Sequence, residues 1–299
     1  MNRFKVGLIN GLSSYLIWGL FPLYWPLLKP ANPLEIVCNR AVWTLAFCVI
    51  VLAVTRKLKA TFALMKNKRI FWGLTLAAVL ISINWTTYIW AVNNKHIVDA
   101  SLGYYINPLV SIGFGVILLK ERMRKLQWFS VLVATIGVLV LAIDAGTFPW
   151  VAITLALSFG SYGFIKKQLG LGSLESLAIE TTISLVPYAG YLIYLGHKGQ
   201  GQFGHGAGLT TLLILAGAVT AIPLLLFNGA ATRLPLSLVG LIQYITPTVQ
   251  FLLGVFLRHE HMSAARWIGF FVIWIALTAL AVDLIKLGRS SNNSVAEVD

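Results

Sequence analysis

The chain is a succession of uninterrupted apolar runs, each close to the roughly 20 residues that a helix needs to cross a bilayer core of about 30 Å. They lie near 6–28, 34–54, 71–94, 98–119, 126–143, 148–165, 174–195, 207–231, 235–257 and 264–285. Membrane β-strands need only about ten residues of alternating hydropathy, and these runs do not alternate. Lipid offers no partner to an open backbone amide, so such runs fold as helices. The expectation is an all-α polytopic membrane protein of ten transmembrane helices, antiparallel where connections are short. Apolar residues make up 58% of the 299 and charged ones 11%, against about 45–50% and about 25% in soluble domains. A soluble enzyme and a disordered chain are thereby excluded.

A net charge of +13 would suit a nucleic acid, but its placement argues otherwise. Basic residues fill short gaps, with Arg56, Lys57, Lys59, Lys66, Lys68 and Arg69 in one and Lys120, Arg122, Arg124 and Lys125 in another. Of the 23 Lys and Arg, Arg40 lies inside a run; Lys29, Lys95, Lys198 and Arg233 are assigned to one side and the other 18, Arg258 and Arg266 among them, to the opposite side. Basic loops face the cytoplasm. The expectation is therefore a multi-pass inner (plasma) membrane protein with both termini cytoplasmic and no nucleic-acid partner. Met1–Lys5 leads into a run long enough to span, with no small-residue cleavage site, and reads as part of an uncleaved first helix. Cys38 and Cys48 lie about 15 Å apart along a helix, too far for a disulfide. Neither Cys nor His shows metal-ligand spacing, so no metal or cofactor is expected. The Gly-rich stretch 196–208 reads as a flexible outer loop, and 290–299 as a disordered cytoplasmic tail.

Sliding the chain on itself by 139 positions aligns 105–128 with 244–267. Ten of the 24 pairs are identical, among them Tyr105/Tyr244, Pro108/Pro247, Gly115/Gly254 and Glu121/Glu260; chance in so apolar a chain gives roughly two or three. A weaker echo at 144 pairs Ser14 with Ser158 and Trp18 with Tyr162. The chain thus reads as two five-helix repeats, 1–145 and 146–289. A unit with an odd number of spans reverses direction when repeated, which relates the halves by a pseudo-two-fold axis in the membrane plane, as in many secondary transporters. No P-loop accompanies them.

The stretches NWTTYIWAVNNKHIVDASLGYYINPLVS (84–111), LSFGSYGFIKK (157–167), LPLSLVGLIQYITPTVQFLLGV (234–255) and EIVCNRAVW (35–43) resemble the RarD group of the EamA family, in the drug/metabolite transporter superfamily. The similarity covers essentially the whole chain. RHEHM at 258–262 departs from the glycine–glutamate–proline turn more usual in the group, with Glu260 retained. The resemblance implies a ten-helix inner-membrane carrier of small metabolites, with helices of both halves around a central cavity.

Candidate residues follow from what is expensive in lipid. Pro108, Pro223 and Pro247 lie inside spans as hinge candidates, each removing a backbone donor and freeing a carbonyl, although a packing kink is the competing reading. Asn84, Tyr88, Asn93, Tyr104, Tyr105, Asn107, Gln243, Tyr244 and Gln250 gather in or beside spans three, four and nine. There they line a solvated substrate cavity or make interhelical hydrogen bonds. Arg40, the costliest residue, binds a substrate carboxylate, pairs with Glu35 or Asp99 as an outer gate, or snorkels. Glu180, at a mirrored depth, is a coupling or gate candidate or the partner of a loop lysine. Trp18 and Tyr162 stack a planar substrate or pack the core. Glu121 and Glu260 read as ion pairs or helix caps.

The favoured function is a secondary transporter of a small organic metabolite or drug-like solute, working by alternating access. Its partners would be that solute, the bilayer and a coupling proton or ion; a homodimer stays open. A channel-like pore or a non-transporting sensor is the alternative. A membrane-embedded enzyme fits less well, because none of the five histidines lies in a span and no HExxH or Gly-x-Ser-x-Gly occurs.

Overall fold

A computed structural model describes residues 3–93, 97–145, 149–257 and 264–296; within them the chain is helical, with no strand. In order, the elements are α1 (Arg3–Tyr24) with a 3-10 turn at Trp25–Leu28, α2 (Pro33–Val54), the short α3 (Leu58–Ala63) and α4 (Lys68–Asn93). They continue with α5 (Ile97–Gly113), α6 (Lys125–Ala145), α7 (Trp150–Leu169), α8 (Ser173–His197), α9 (Ala207–Ala231), α10 (Leu236–Gln243), α11 (Ile245–Leu252) and α12 (Ala264–Ala296). Local chemistry sets several ends. Asn32 caps α2 by accepting from the Glu35 amide at 2.8 Å, with Pro33 following, a residue order suited to a helix start. Gly170, at φ +58°, closes α7 in the left-handed region that glycine enters at least cost.

Among the described residues seven helical stretches have the length and hydropathy to cross a membrane, fewer than the ten expected. The apolar stretches of α5 and α12, Leu102–Leu118 and Trp267–Asp283, are shorter. In α7 the polar Ser158, Ser161, Lys166 and Lys167 dilute the apolar character. α12 also continues as helix through Ala296, where the sequence suggested an irregular tail. Large apolar side chains face outward, Val54, Ile143 and Val186 each being 78% exposed, as a lipid-facing surface requires.

The main neighbours of each long first-half helix belong to the second half. α1 packs on α9, α10 and α11; α2 on α8 and α9; α4 on α7 and α8; α5 on α7 and α10; and α6 on α12. Small residues allow the closest approaches. At Gly217 of α9, an added Cβ would fall 2.4 Å from the Trp43 carbonyl carbon of α2, and Thr44 donates to the Gly217 carbonyl at 3.0 Å. The centre is filled by Tyr15, Tyr162, Leu224, Phe227 and Ile242.

These contacts correct the assignment of two arginines, Arg233 and Arg266. Arg3 donates to the Thr232 carbonyl and Lys167 to that of Leu234, which puts Arg233 at the basic end. Arg124, opening α6, pairs with Asp283 late in α12. The start of α12, with Arg266, therefore belongs to the other end; Arg258 lies outside the described residues. The two changes offset each other in the count, and the same side stays basic.

Candidate functional site

Arg40 sits seven residues into α2 from Pro33, where its insertion costs about 2.5–3.5 kcal/mol at a helix centre. Its Nε donates to Thr220 Oγ1 of α9 at 3.0 Å. The guanidinium lies over the Trp25 and Trp85 rings, 4.8 and 4.4 Å from their centroids, contacts each worth about 0.5–2 kcal/mol. The phenols of Tyr104, Tyr188 and Tyr88 are its electrostatic neighbours. Tyr88 and Tyr104 share a hydroxyl hydrogen bond and meet edge to face, and Tyr188 donates to Ser82 at 2.9 Å. Elements from both halves thus converge on one cation, and among the described residues no carboxylate lies within 4 Å of it.

Glu35 meets different partners. Its Oε1 accepts from the Gln202 and Phe203 amides at 2.6 and 3.2 Å, and Phe203 stacks on Trp43. The loop expected to be flexible is held onto α2 there. Asp99 and Asn93 fall on α5 and α4, and their side chains lie outside the described residues.

Toward the basic end, Glu180 of α8 forms a buried network. Lys166 Nζ bridges to Glu180 Oε1 and to Ser176 Oγ; Tyr162 donates to Glu180 Oε2 at 3.1 Å. The Lys166 and Glu180 side chains are only 1% and 3% exposed. Removing one partner of such a pair strands a buried charge, typically at a cost of about 3–5 kcal/mol. The sequence offered the signal in two spacings of four, Tyr162/Lys166 and Ser176/Glu180, each on one helix face.

Beside Glu180 lies a narrow crevice of about 20 Å³, with Ala41, Ser82 and Trp85 from the first half and Tyr162, Glu180 and Tyr188 from the second. Trp85 is shared with Arg40. Ser82 and Ser184 also line an open groove of about 460 Å³ between α4 and α8.

Other polar candidates lie away from this crevice. Asn84 donates to the Leu155 carbonyl and Ser158 Oγ at 2.9 and 3.0 Å, tying α4 to α7. Gln250 and Thr246 donate to the Trp18 and Tyr15 carbonyls at 3.4 and 2.8 Å, tying α11 to α1. Trp18 joins an aromatic cluster with Tyr15, Phe159 and Phe227, and Tyr162 stacks on Phe227. Tyr105 and Tyr244 belong to a second core cluster. Asn107 Oδ1, Gln243 Oε1 and Tyr244 Oη are buried without a hydrogen-bond partner among the described residues. Of the prolines, Pro108 and Pro223 lie inside continuous helices, whereas Pro247 follows a break at Tyr244. Glu121 is both cap and ion-pair partner: it accepts from the Leu236 and Ser237 amides at 2.7 and 2.9 Å and lies 3.5 Å from Lys167.

Residues 5–143 and 149–282 match the EamA-like transporter family. Protein RarD of Streptomyces exfoliatus is 49% identical over 97% of this chain and 92% of its own length. An uncharacterized transporter, YojE, of Bacillus subtilis is 44% identical over 97% and 98%. Protein RarD of Escherichia coli is 39% identical over 96% and 98%. A solved chain described as "Crystal structure of protein" superposes with a TM-score of 0.72 at 16% identity, covering 94% of this chain and 99% of that one, a likeness of fold. Helices that present apolar surfaces outward and gather a cation, phenols and a buried ion pair inward, with family matches across both halves, place this chain in the EamA-like transporter family, a family of membrane transporters.

Proposed function

We propose that the protein is a secondary carrier that moves a small organic solute across the plasma membrane by alternating access, as two inverted five-helix repeats. One observation carries the reading: the crevice beside Trp85 and Glu180 is walled by both halves, so sliding one half over the other opens or closes it. The packing supports the symmetry. Exchanging each helix for its repeat-equivalent turns the α5–α7 contact into α10/α11–α1, α2–α9 into α8–α4, and α4–α7 into α9–α1, all of which occur. The two family matches, one per half, agree with it. The basic end faces the cytoplasm in this reading, by the preference of Lys- and Arg-rich loops for that side. The Lys166–Glu180 pair serves as coupling or gating element; of the hinge candidates Pro108, Pro223 and Pro247, the Pro247 region, with its break at Tyr244, is the hinge.

Counterflow tests it. Proteoliposomes are preloaded with unlabelled members of a panel of amino acids, purines, amines and antibiotics, and the labelled counterpart is added outside. A carrier gives transient accumulation of label for at least one member; downhill equilibration without overshoot for every permeant member makes the protein a pore, and no flux across the panel rejects the reading for those solutes. Ala60→Cys, on the exposed face of α3, is expected to react with an impermeant thiol reagent only from the cytoplasmic side.

A further inference from the structure

Three interior or half-buried cations have carboxylates: Lys166 has Glu180, Lys167 has Glu121 and Arg124 has Asp283. Arg40 has none among the described residues. Its Nε is occupied by Thr220, while neither terminal nitrogen has a hydrogen-bond acceptor there. A guanidinium with two open nitrogens presents parallel donors spaced for the two oxygens of one carboxylate. Its surroundings suit an apolar body: Trp85, which the guanidinium overlies, also lines the crevice with Ala41 and Leu224. The phenol of Tyr188, in the same wall, is a further polar contact.

We infer that Arg40 is the anion-binding group of the cargo site, and that the cargo is a small organic carboxylate whose apolar part lies against Trp85, where the crevice, about 20 Å³ in this state, widens to admit it. This deepens the carrier reading and rests on it for the word cargo, but the binding site stands on its own geometry. Tight pairing before cargo arrives would cost selectivity; an unmatched cation is instead neutralised by the solute it selects, which disfavours neutral and cationic analogues.

The test uses the full-length protein in detergent, with benzoate, phenylacetate and hexanoate as probes, each beside its neutral amide. At least one carboxylate is expected to raise the Tm saturably and its amide to give no saturable shift. Arg40→Gln is expected to weaken carboxylate binding at least tenfold, and Arg40→Lys to retain part of it. In wild type the same carboxylate changes tryptophan emission, and Trp85→Phe diminishes that change. Equal shifts from acids and amides, no shift from any acid, or an acid shift that survives Arg40→Gln overturns the inference. So does an equal, Arg40-dependent shift from phosphatidylglycerol in mixed micelles, which reassigns the site to a lipid headgroup. Counterflow separates the two claims. Transport of neutral or cationic solutes unaffected by Arg40→Gln keeps the carrier and removes the anion site; Arg40-dependent carboxylate binding without counterflow does the reverse.

Discussion

Pro108 and Pro247 occupy equivalent places in two copies of one sequence pattern, yet the chain passes them differently. α5 runs through Pro108 as one helix from Ile97 to Gly113. The second copy breaks at Tyr244, where ψ flattens to −11° and the amide turns to the Leu241 carbonyl, at 3.4 Å. Both copies then end in a five-residue π turn at the same offset, Phe114–Leu118 and Leu253–Leu257. The proline removes the same donor in each, so it permits the break without dictating it. The neighbours differ: Thr246 donates to Tyr15 of α1 and Thr248 to the Tyr244 carbonyl, each at 2.8 Å, whereas the first copy has Asn107 and Leu109 there. An interhelical hydrogen bond pulls the second copy onto α1, and the flexible joint is expected at Tyr244.

The Pro108 segment of α5 meets Gly240 of α10, which gives the largest expected effect. An added Cβ at Gly240 of α10 would lie 2.8 Å from the Pro108 carbonyl oxygen and 2.9 Å from Ile112 Cγ1. Overpacking costs about 1–3 kcal/mol, occasionally more, and here the obstacle is backbone. Gly240→Leu is expected to abolish the monodisperse species on size-exclusion chromatography; a folded variant with wild-type Tm breaks the description of this crossing. Next, Pro247→Ala returns an amide to the Gln243 carbonyl and favours a continuous helix. Its counterflow rate is expected to fall about tenfold, equivalent to ~1.4 kcal/mol in barrier, with Tm unchanged or higher, while Pro108→Ala stays within about twofold of wild type. Equal losses from both remove the hinge from Tyr244. Then Glu121→Ala uncaps α10. Hydrogen bonds to a charged group contribute about 1.5–3 kcal/mol, and a loss of about 2 kcal/mol is expected in denaturant unfolding, with faster amide exchange at 236–237.

The all-helical, apolar character of the chain was legible because run length and hydropathy are properties of the residues themselves. The break at Tyr244 was not, since Tyr105–Pro108 and Tyr244–Pro247 carry the same prolines and tyrosines; the deciding partner, Tyr15, lies 231 residues away from Thr246. Likewise Arg40 announced itself by its cost, whereas Thr220, 180 residues on, and Trp25 did not. Asn84 and Gln250 were recognisable as polar groups in lipid, but whether such a group faces a crevice or a neighbouring helix depends on rotation about the helix axis. The side of Arg233 was misjudged because chain alternation, rather than local composition, decides it.

The smallest effect separates the two copies most directly. Thr246 is 5% exposed and its hydroxyl is bonded to Tyr15 O; Asn107, its equivalent, is 6% exposed and its Oδ1 has no donor among the described residues. A typical hydrogen bond contributes about 1 kcal/mol net, whereas a buried acceptor left unmade costs about 1–3 kcal/mol. The same kind of change, polar to apolar of similar volume, should therefore have opposite signs. Thr246→Val is expected to lower stability by about 1 kcal/mol and to speed amide exchange around 244–248 as α11 loosens from α1. Asn107→Leu is expected to be neutral or stabilising. Equal destabilisation of both would mean that Asn107 is as firmly bonded as Thr246, and the contrast between a gripped, broken copy and an ungripped, continuous one would lose its cause.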